Sequence, residues 1–360
     1  MDRLDWFPAI GDYRFELQAS EPIRLPGYAG SAWRGLLGHS LRRSVCVTRQ
    51  PRCDGCLLRG ACVYSTLFET PPLAGVPPAH LTTAAPHPFV LVQTMDWPSE
   101  YRAGGRLDFG IRLLGEANRH LPYLVHALHL AGELGIGPDH GRFRVLRVLR
   151  DEALGRGSWV PQFEEPPAIT PLSKAAAPEI PDRPHIVSLQ MHTPIRVKRQ
   201  GQLVGPAEFE FADLFRNLAR SIDTLARYYG VSARLPDFGE LVRASAEVRS
   251  VDKRIRWHDW TRYSSRQHTR MQMGGVVGEL HLEGDSVAPY WPYLWLGQWI
   301  HVGKATSMGL GRYQLGDAAS LPPRSPARDR ASLVAVEPAA GVEGESRAAI
   351  GGTESAAPHP

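Results

Sequence analysis

One order of strand and helix periodicities occurs twice along this chain, and that repeat restricts the possible fold more than any single motif. Strand-like sequence at 13–19 is followed by a helical stretch at 31–45, strands at 88–95 and 105–114, and a helix at 118–134. After Gly135, Gly137 and Gly141 comes a strand at 142–149. From 186 the order returns: a strand at 186–198, a helix at about 207–229, and strands at roughly 246–258 and 269–282. A helix at 289–302, a glycine-rich loop and a short strand at 312–315 complete it. The helix at 207–229 is the clearest element. Phe211, Leu214, Phe215, Leu218, Ile222, Leu225 and Tyr229 recur at three- and four-residue steps and so share one face. Two β-α-β-β-α-β units predict an α+β protein of two tandem ferredoxin-like domains, each a four-stranded antiparallel sheet with both helices on one face. The expected boundaries are 1–150 and 186–316, joined by a proline-rich linker at 151–185. The Ala/Gly/Pro/Ser-rich stretch 317–360 has little to bury and is expected to be disordered.

With 360 residues, 43% of them hydrophobic, the chain has apolar material for about two domain cores. The N-terminal MDRLDWFPAI lacks a basic region followed by an apolar run, and no stretch has the apolar length of a membrane span. A cytoplasmic protein with no membrane partner is expected. The net charge of +4 is modest, but it is unevenly spread. Between Asp252 and Arg270 lie Lys253, Arg254, Arg256, Arg262, Arg266 and Arg270 against Asp252 and Asp259, a local excess as large as that of the whole chain. Trp257, Trp260 and Tyr263 interleave these cations, a composition suited to an anionic polymer whose bases can stack.

The run GKATSMGLGRYQL, Gly303 to Leu315, joins glycines 303, 309 and 311 to Lys304 and Arg312, so backbone N–H groups and cations can meet phosphate oxygens together. Its spacing fits neither G-x-x-x-x-G-K-[ST] nor G-x-G-x-x-G, and it follows a helix and precedes a strand, which excludes a nucleotide cofactor on both counts. The four cysteines, Cys46, Cys53, Cys56 and Cys62, fall in one window as C-x6-C-x2-C-x5-C. Disulfides are not expected in the cytoplasm. Four soft ligands with a C-x2-C turn over Asp54-Gly55 suit a closed, structural zinc site, and an iron–sulfur cluster on the same thiolates is the alternative.

The segments LPGYAGSAWRGLLGHSLRRSVC, CDGCLLRGACVYSTLFE, GIGPDHGRFRVLRV, WTRYSSRQHTRMQMGGVVGELHLEG and HVGKATSMGLGRYQL together resemble CRISPR precursor-RNA processing endoribonucleases of the repeat-associated mysterious protein superfamily. The resemblance runs in order over roughly residues 10–316. It implies tandem ferredoxin-like domains, in agreement with the repeat. It also implies cleavage of CRISPR repeat RNA with no cofactor for catalysis, by 2′-hydroxyl attack, leaving a 2′,3′-cyclic phosphate and a 5′-hydroxyl. Repeat RNA and a CRISPR effector complex are the implied partners. Gly303–Gly311 takes the place of the family's glycine-rich loop, and the cysteine window matches a subgroup with a cysteine cluster just after its first helix.

Many members of that family use a histidine on the first helix as general base or acid, and the matching position is His39. Helical geometry supports it independently. Trp33, Leu36, Leu37 and Leu41 mark a buried face that leaves His39 outward, with Gly35 one turn before it and Arg42 and Arg43 one turn after it to hold a phosphate. His258 and His268 are the next candidates. Tyr28 can donate to the 5′-oxygen leaving group, as Tyr64 or Tyr263 could on composition, and Lys304 or Arg43 can stabilise charge on the phosphorane. The expected RNA contacts are Arg42, Arg43, Arg254, Arg256, Gly303, Lys304, Gly309, Gly311 and Arg312. His301 is expected to pack or cap, and His120, His126 and His129 show no ligand spacing. Two other classes stand beside this reading: a non-catalytic RNA-binding subunit of the same superfamily, and a cysteine-cluster redox or DNA-binding protein.

Overall fold

The computed structural model describes residues 4–72, 85–93, 98–164, 168–169, 179–230, 235–264 and 269–317, all within one compact unit, Met1–Leu321. Two antiparallel sheets organise it. In the first, the order is Phe89–Val92, Arg106–Leu114, Ile10–Ala19, Phe143–Asp151, extended by Trp159–Glu164 and Ala168–Ile169. In the second it is Ser250–His258, Gly275–Glu283, Ile186–Ile195, Tyr313–Asp317. Numbered by their place in each half, the four core strands run 2-3-1-4 in both sheets. This is the ferredoxin-like arrangement the repeat predicts, and the fold is two tandem ferredoxin-like units.

Helices Gly30–Val45 and Leu121–Leu134 cover one face of the first sheet. Trp33 is 1% exposed, stacks on Phe109 with ring centroids 4.8 Å apart and meets the edge of Phe143. Leu37 and Leu41 continue that face against the sheet. Each such side chain contributes about 1.5–3 kcal/mol by leaving water. In the second half, helix Phe211–Tyr229 buries Phe211, Leu214, Phe215, Leu218, Ile222 and Leu225 as its periodicity predicts, and a reciprocal capping box of Glu210 and Asp213 starts it. Its partner Trp291–Ile300 is apolar almost all round because it packs on helix Phe211–Tyr229 and the sheet while Trp299 also meets Arg112 of the first half.

The halves are less separate than the repeat suggests. Leu4, Phe7, Ile10 and Leu114 belong to the hydrophobic cluster of the second half. Within the segment read as a linker, Trp159–Glu164 pairs with Phe143–Asp151 as a further strand, because Asp151 accepts from the N–H groups of Gly155, Gly157 and Ser158 and closes a hairpin. The strand expected at 269–282 is two elements. Thr269–Gln272 pairs with Thr261–Ser264 as a separate hairpin, and Gly275–Glu283 joins the sheet. Except for Asp317, the stretch 317–360 lies outside the described residues, as does His268.

Candidate nucleic-acid interface and active site

Between the two halves lies a cleft of about 1530 Å³. One wall is the outward face of the first helix (Ser31, Ala32, Gly35, Leu36, His39) with the loop from Gly135 to His140. The other is the helix-free face of the second sheet and the start of the basic hairpin, including Gln190, His192, Arg256, His258 and Trp260. Two residues singled out on different grounds, His39 from helix phase and Arg256 from charge, therefore face the same space. His39 is exposed, and a Cβ at Gly35 would meet nothing within 4 Å, so the groove beside the imidazole is open.

The electrostatics of this space are cationic. Arg256 is exposed and pairs with no carboxylate among the described residues, whereas Arg254 is held by Asp252 at 2.6 Å. Burial and the neighbouring Arg256 push the His258 imidazole below its usual pKa, against the pull of Asp259. Among the described residues no Asp or Glu lines the cleft.

Other expected site residues are engaged with the protein itself, Tyr28 among them although it lines the cleft. Tyr28, read as a proton donor, is 4% exposed and donates its hydroxyl to Met308 O at 2.7 Å, and burial raises its pKa far above the usual phenol value. Its ring also lies 4.8 Å from Trp260, so it clamps the glycine loop at the cleft wall. The loop glycines are packed closely against protein backbone. Gly303, Gly309 and Gly311 have φ of 90°, 89° and 78°, and a Cβ there would meet Arg196 O at 2.6 Å, Tyr28 Oη at 2.7 Å and Val302 O at 1.9 Å. They let the loop approach protein backbone closely. Thr193, fully buried, donates to Gly309 O and accepts from Arg312 N, each at 2.9 Å. Of the loop's expected contacts, Lys304 alone is exposed.

Arg312 is also turned inward. It donates to Gln93 O at 3.3 Å, and burial next to Arg112 lowers its pKa to about 10. It belongs to a buried polar seam in which Arg112, 5% exposed, pairs with Asp12 at 3.3 Å and donates to Gln298 O at 2.7 Å. His301 is fully buried there, with Nδ1 3.2 Å from Leu310 O and Nε2 3.4 Å from Arg112. It packs, as expected, and burial pushes its pKa well below the usual range. Arg42 leans over Tyr64, 5.6 Å from its ring, and donates to Gln50 O, so it serves the cysteine segment. Arg43 is exposed but does not line the cleft.

The four cysteines are free, half-buried and arranged around one cavity of about 360 Å³. Gly55, at φ 78°, makes the tight turn expected between Cys53 and Cys56. The hydroxyl of Thr48 lies 3.9 Å from Cys46 Sγ and 3.6 Å from Cys56 Sγ, between the two thiols. Among the described residues no three Cys, His, Asp or Glu side chains are placed to hold a metal ion. The thiols share one cavity without being drawn together into a ligand set.

His192 and His140 were missed as cleft residues. For His192 the signal was strand alternation: Leu189 and Met191 are core residues, so Gln190 and His192 must face the other side.

Residues 189–313 match the family model of CRISPR-associated endoribonuclease Cas6, and 7–168 match that of an N-terminal domain. Each match covers less than half of the chain, and the Cas6 match falls on its second ferredoxin-like unit. Among solved structures the protein is similar to a chain of a partial Cas6-RT-Cas1–Cas2 complex, with 12% identity, a TM-score of 0.52, and coverage of 89% of this chain and 48% of that one. It thus spans about half the length of that relative. It is also similar to a Cas6 product complex at 17% identity and TM-score 0.51 (85% and 99% covered) and to Thermus thermophilus Cas6 at 14% and 0.50 (86% and 98%). At such identities these likenesses speak for the fold. No curated protein matches the sequence. No helix of the described residues is long and apolar enough to cross a membrane.

Proposed function

We propose that this protein is an endoribonuclease that cuts CRISPR repeat RNA within precursor transcripts by attack of a 2′-hydroxyl on the adjacent phosphate, leaving a 2′,3′-cyclic phosphate and a 5′-hydroxyl. The observation that carries this reading is the placement of His39 in the cationic cleft, facing Arg256 and Trp260 across it. A neutral imidazole can take the 2′-hydroxyl proton, Trp260 offers a stacking surface, and Arg256 supplies charge for the phosphate. Lys304, exposed on the glycine loop, adds a phosphate contact beyond the cleft rim. The reaction proceeds without a metal ion. Hard cations such as Mg²⁺ favour carboxylate ligands, and the described residues of the cleft lining include no carboxylate. The protein acts in the cytoplasm, with repeat RNA as substrate and a CRISPR effector complex as recipient of the product.

His39→Ala tests this. Loss of general acid–base assistance costs about 10² to 10⁴ in rate, while removing a neutral side chain leaves RNA affinity within a few-fold. Near-normal cleavage by the variant would remove His39 from the chemistry and shift the test to His258.

A further inference from the structure

The proposed reaction needs two proton transfers, one from the 2′-hydroxyl and one to the departing 5′-oxygen, and the second has no residue assigned. Tyr28 does not supply it, because its hydroxyl is bound to Met308 O. Besides His39, three imidazoles line the cleft among the described residues: His140, His192 and His258. His192 is half-buried in its strand with Nε2 enclosed, and burial beside Arg256 disfavours the protonated form of His258. His140 is exposed, and it lies on the same wall as His39.

The backbone at His140 is left-handed, as it is at Arg49, Gln200, His301 and Ala305. Its φ is +50°, a left-handed conformation that costs a non-glycine residue about 1–2 kcal/mol. Elsewhere in this loop such positions are glycine: Gly135 and Gly137 have φ of 78° and 81°, and a Cβ at either would come within 2.0 Å of a backbone oxygen. The loop is firmly held. Ile136 and Gly141 exchange backbone hydrogen bonds of 3.0 and 3.1 Å, His140 N donates to Gly137 O, and Arg24 grips Asp139 at 2.7 Å. The chain thus keeps a strained histidine whose side chain makes no hydrogen bond among the described residues and faces the cleft. Strain retained where packing does not require it points to a use.

Resting on the endoribonuclease reading, we propose that His140 is the general acid paired with His39. The 2′-oxygen bonds to phosphorus as the bond from phosphorus to the 5′-oxygen breaks. The 2′-hydroxyl proton passes to neutral His39, and protonated His140 gives its proton to the 5′-oxygen, so the net proton count is unchanged. The charged and titratable groups around it are Arg24 and Asp139 beside its loop, His39 from the first helix, and His192, Arg256 and His258 from the second sheet.

The test uses His140→Asn and His140→Gly, two residues that accept a left-handed backbone. Single-turnover cleavage is measured on repeat RNA and on the same RNA with sulfur replacing the bridging 5′-oxygen, whose thiolate leaves without a proton. On ordinary RNA both variants should lose about 10² to 10⁴ in rate with affinity within a few-fold of wild type. On the sulfur RNA they should recover most of that loss, whereas His39→Ala stays slow on both. Unchanged cleavage of ordinary RNA by the His140 variants, or a defect undiminished on sulfur RNA, would overturn the assignment while leaving the endoribonuclease reading intact. A wild-type protein that cuts neither RNA would overturn that reading and the inference with it.

Discussion

Replacing Gly311 by alanine should separate the two jobs that a positive-φ glycine can do. At φ 78° an alanine carries the left-handed penalty, about 1–2 kcal/mol. Its Cβ would also stand 1.9 Å from Val302 O, 2.8 Å from Val302 C and 2.9 Å from Val302 N, all backbone atoms that cannot swing aside. Relieving such a contact by shifting backbone costs about a further 1–3 kcal/mol. Gly201 is the control, because its φ is 86° and a Cβ there meets nothing within 4 Å, so Gly201→Ala should lose only the conformational part. Gly311→Ala should thus be less stable than Gly201→Ala by about 1–3 kcal/mol. With a urea slope near 2 kcal/mol/M, that corresponds to roughly 0.5–1.5 M in the unfolding midpoint. The shift should also loosen the bonds from Val302 N to Gly311 O and from Gly311 N to Pro194 O, both 3.0 Å, and with them the loop that Tyr28 clamps. Urea titrations of the two variants, followed by circular dichroism, provide the comparison. Equal midpoints would refute the claim that this glycine is there for close approach.

Other expectations follow from the same geometry. Arg256→Ala and Lys304→Ala should each weaken RNA binding across sequences and reduce the salt slope by about 0.7 per lost single-strand phosphate contact; titrations at several salt concentrations check this, and unchanged slopes would place RNA elsewhere. Burial beside Arg34 pushes the His87 pKa down to about 4, from an unfolded value near 6.5. The unfolded chain then binds more protons between those values, so the contribution of this site to stability is intact above pH 6.5 and is lost as pH falls toward 4, by at most about 3 kcal/mol. Denaturation midpoints of His87→Asn should fall less steeply over that window than those of wild type, and parallel curves would show the histidine is not responsible. Cys46, Cys53, Cys56 and Cys62 are free and half-buried, so all four should react with a thiol reagent in the native protein; complete protection, released by a chelator, would reveal a ligand shell.

Periodicity made much of this protein legible before its structure. Helix Phe211–Tyr229 could be read because its burial obeys its own spacing, and His39 because helix phase alone sends it outward. What stayed hidden depends on partners distant in sequence. Tyr28, Arg312 and the loop glycines all have the right chemistry for RNA, but Met308, Arg112 and the backbones of Arg196 and Val302 occupy them. Arg42 sits beside His39 on the helix yet turns toward Tyr64. Leu4 and Phe7, at the start of the first half, fill the core of the second, which no repeat pattern encodes. His140 was within sight, in a glycine-rich loop that ends a helix, but its positive φ is a property of the folded loop.

The central claim is that the RNA itself supplies the nucleophile. Repeat RNA carrying a single 2′-deoxy sugar immediately before the cut, incubated with the protein in EDTA, tests it most directly beside all-ribose RNA. The account predicts that the ribose substrate is cut to a 2′,3′-cyclic phosphate and that the deoxy substrate is bound but stays whole. Cleavage of the deoxy substrate, or a requirement for added divalent metal, would contradict it.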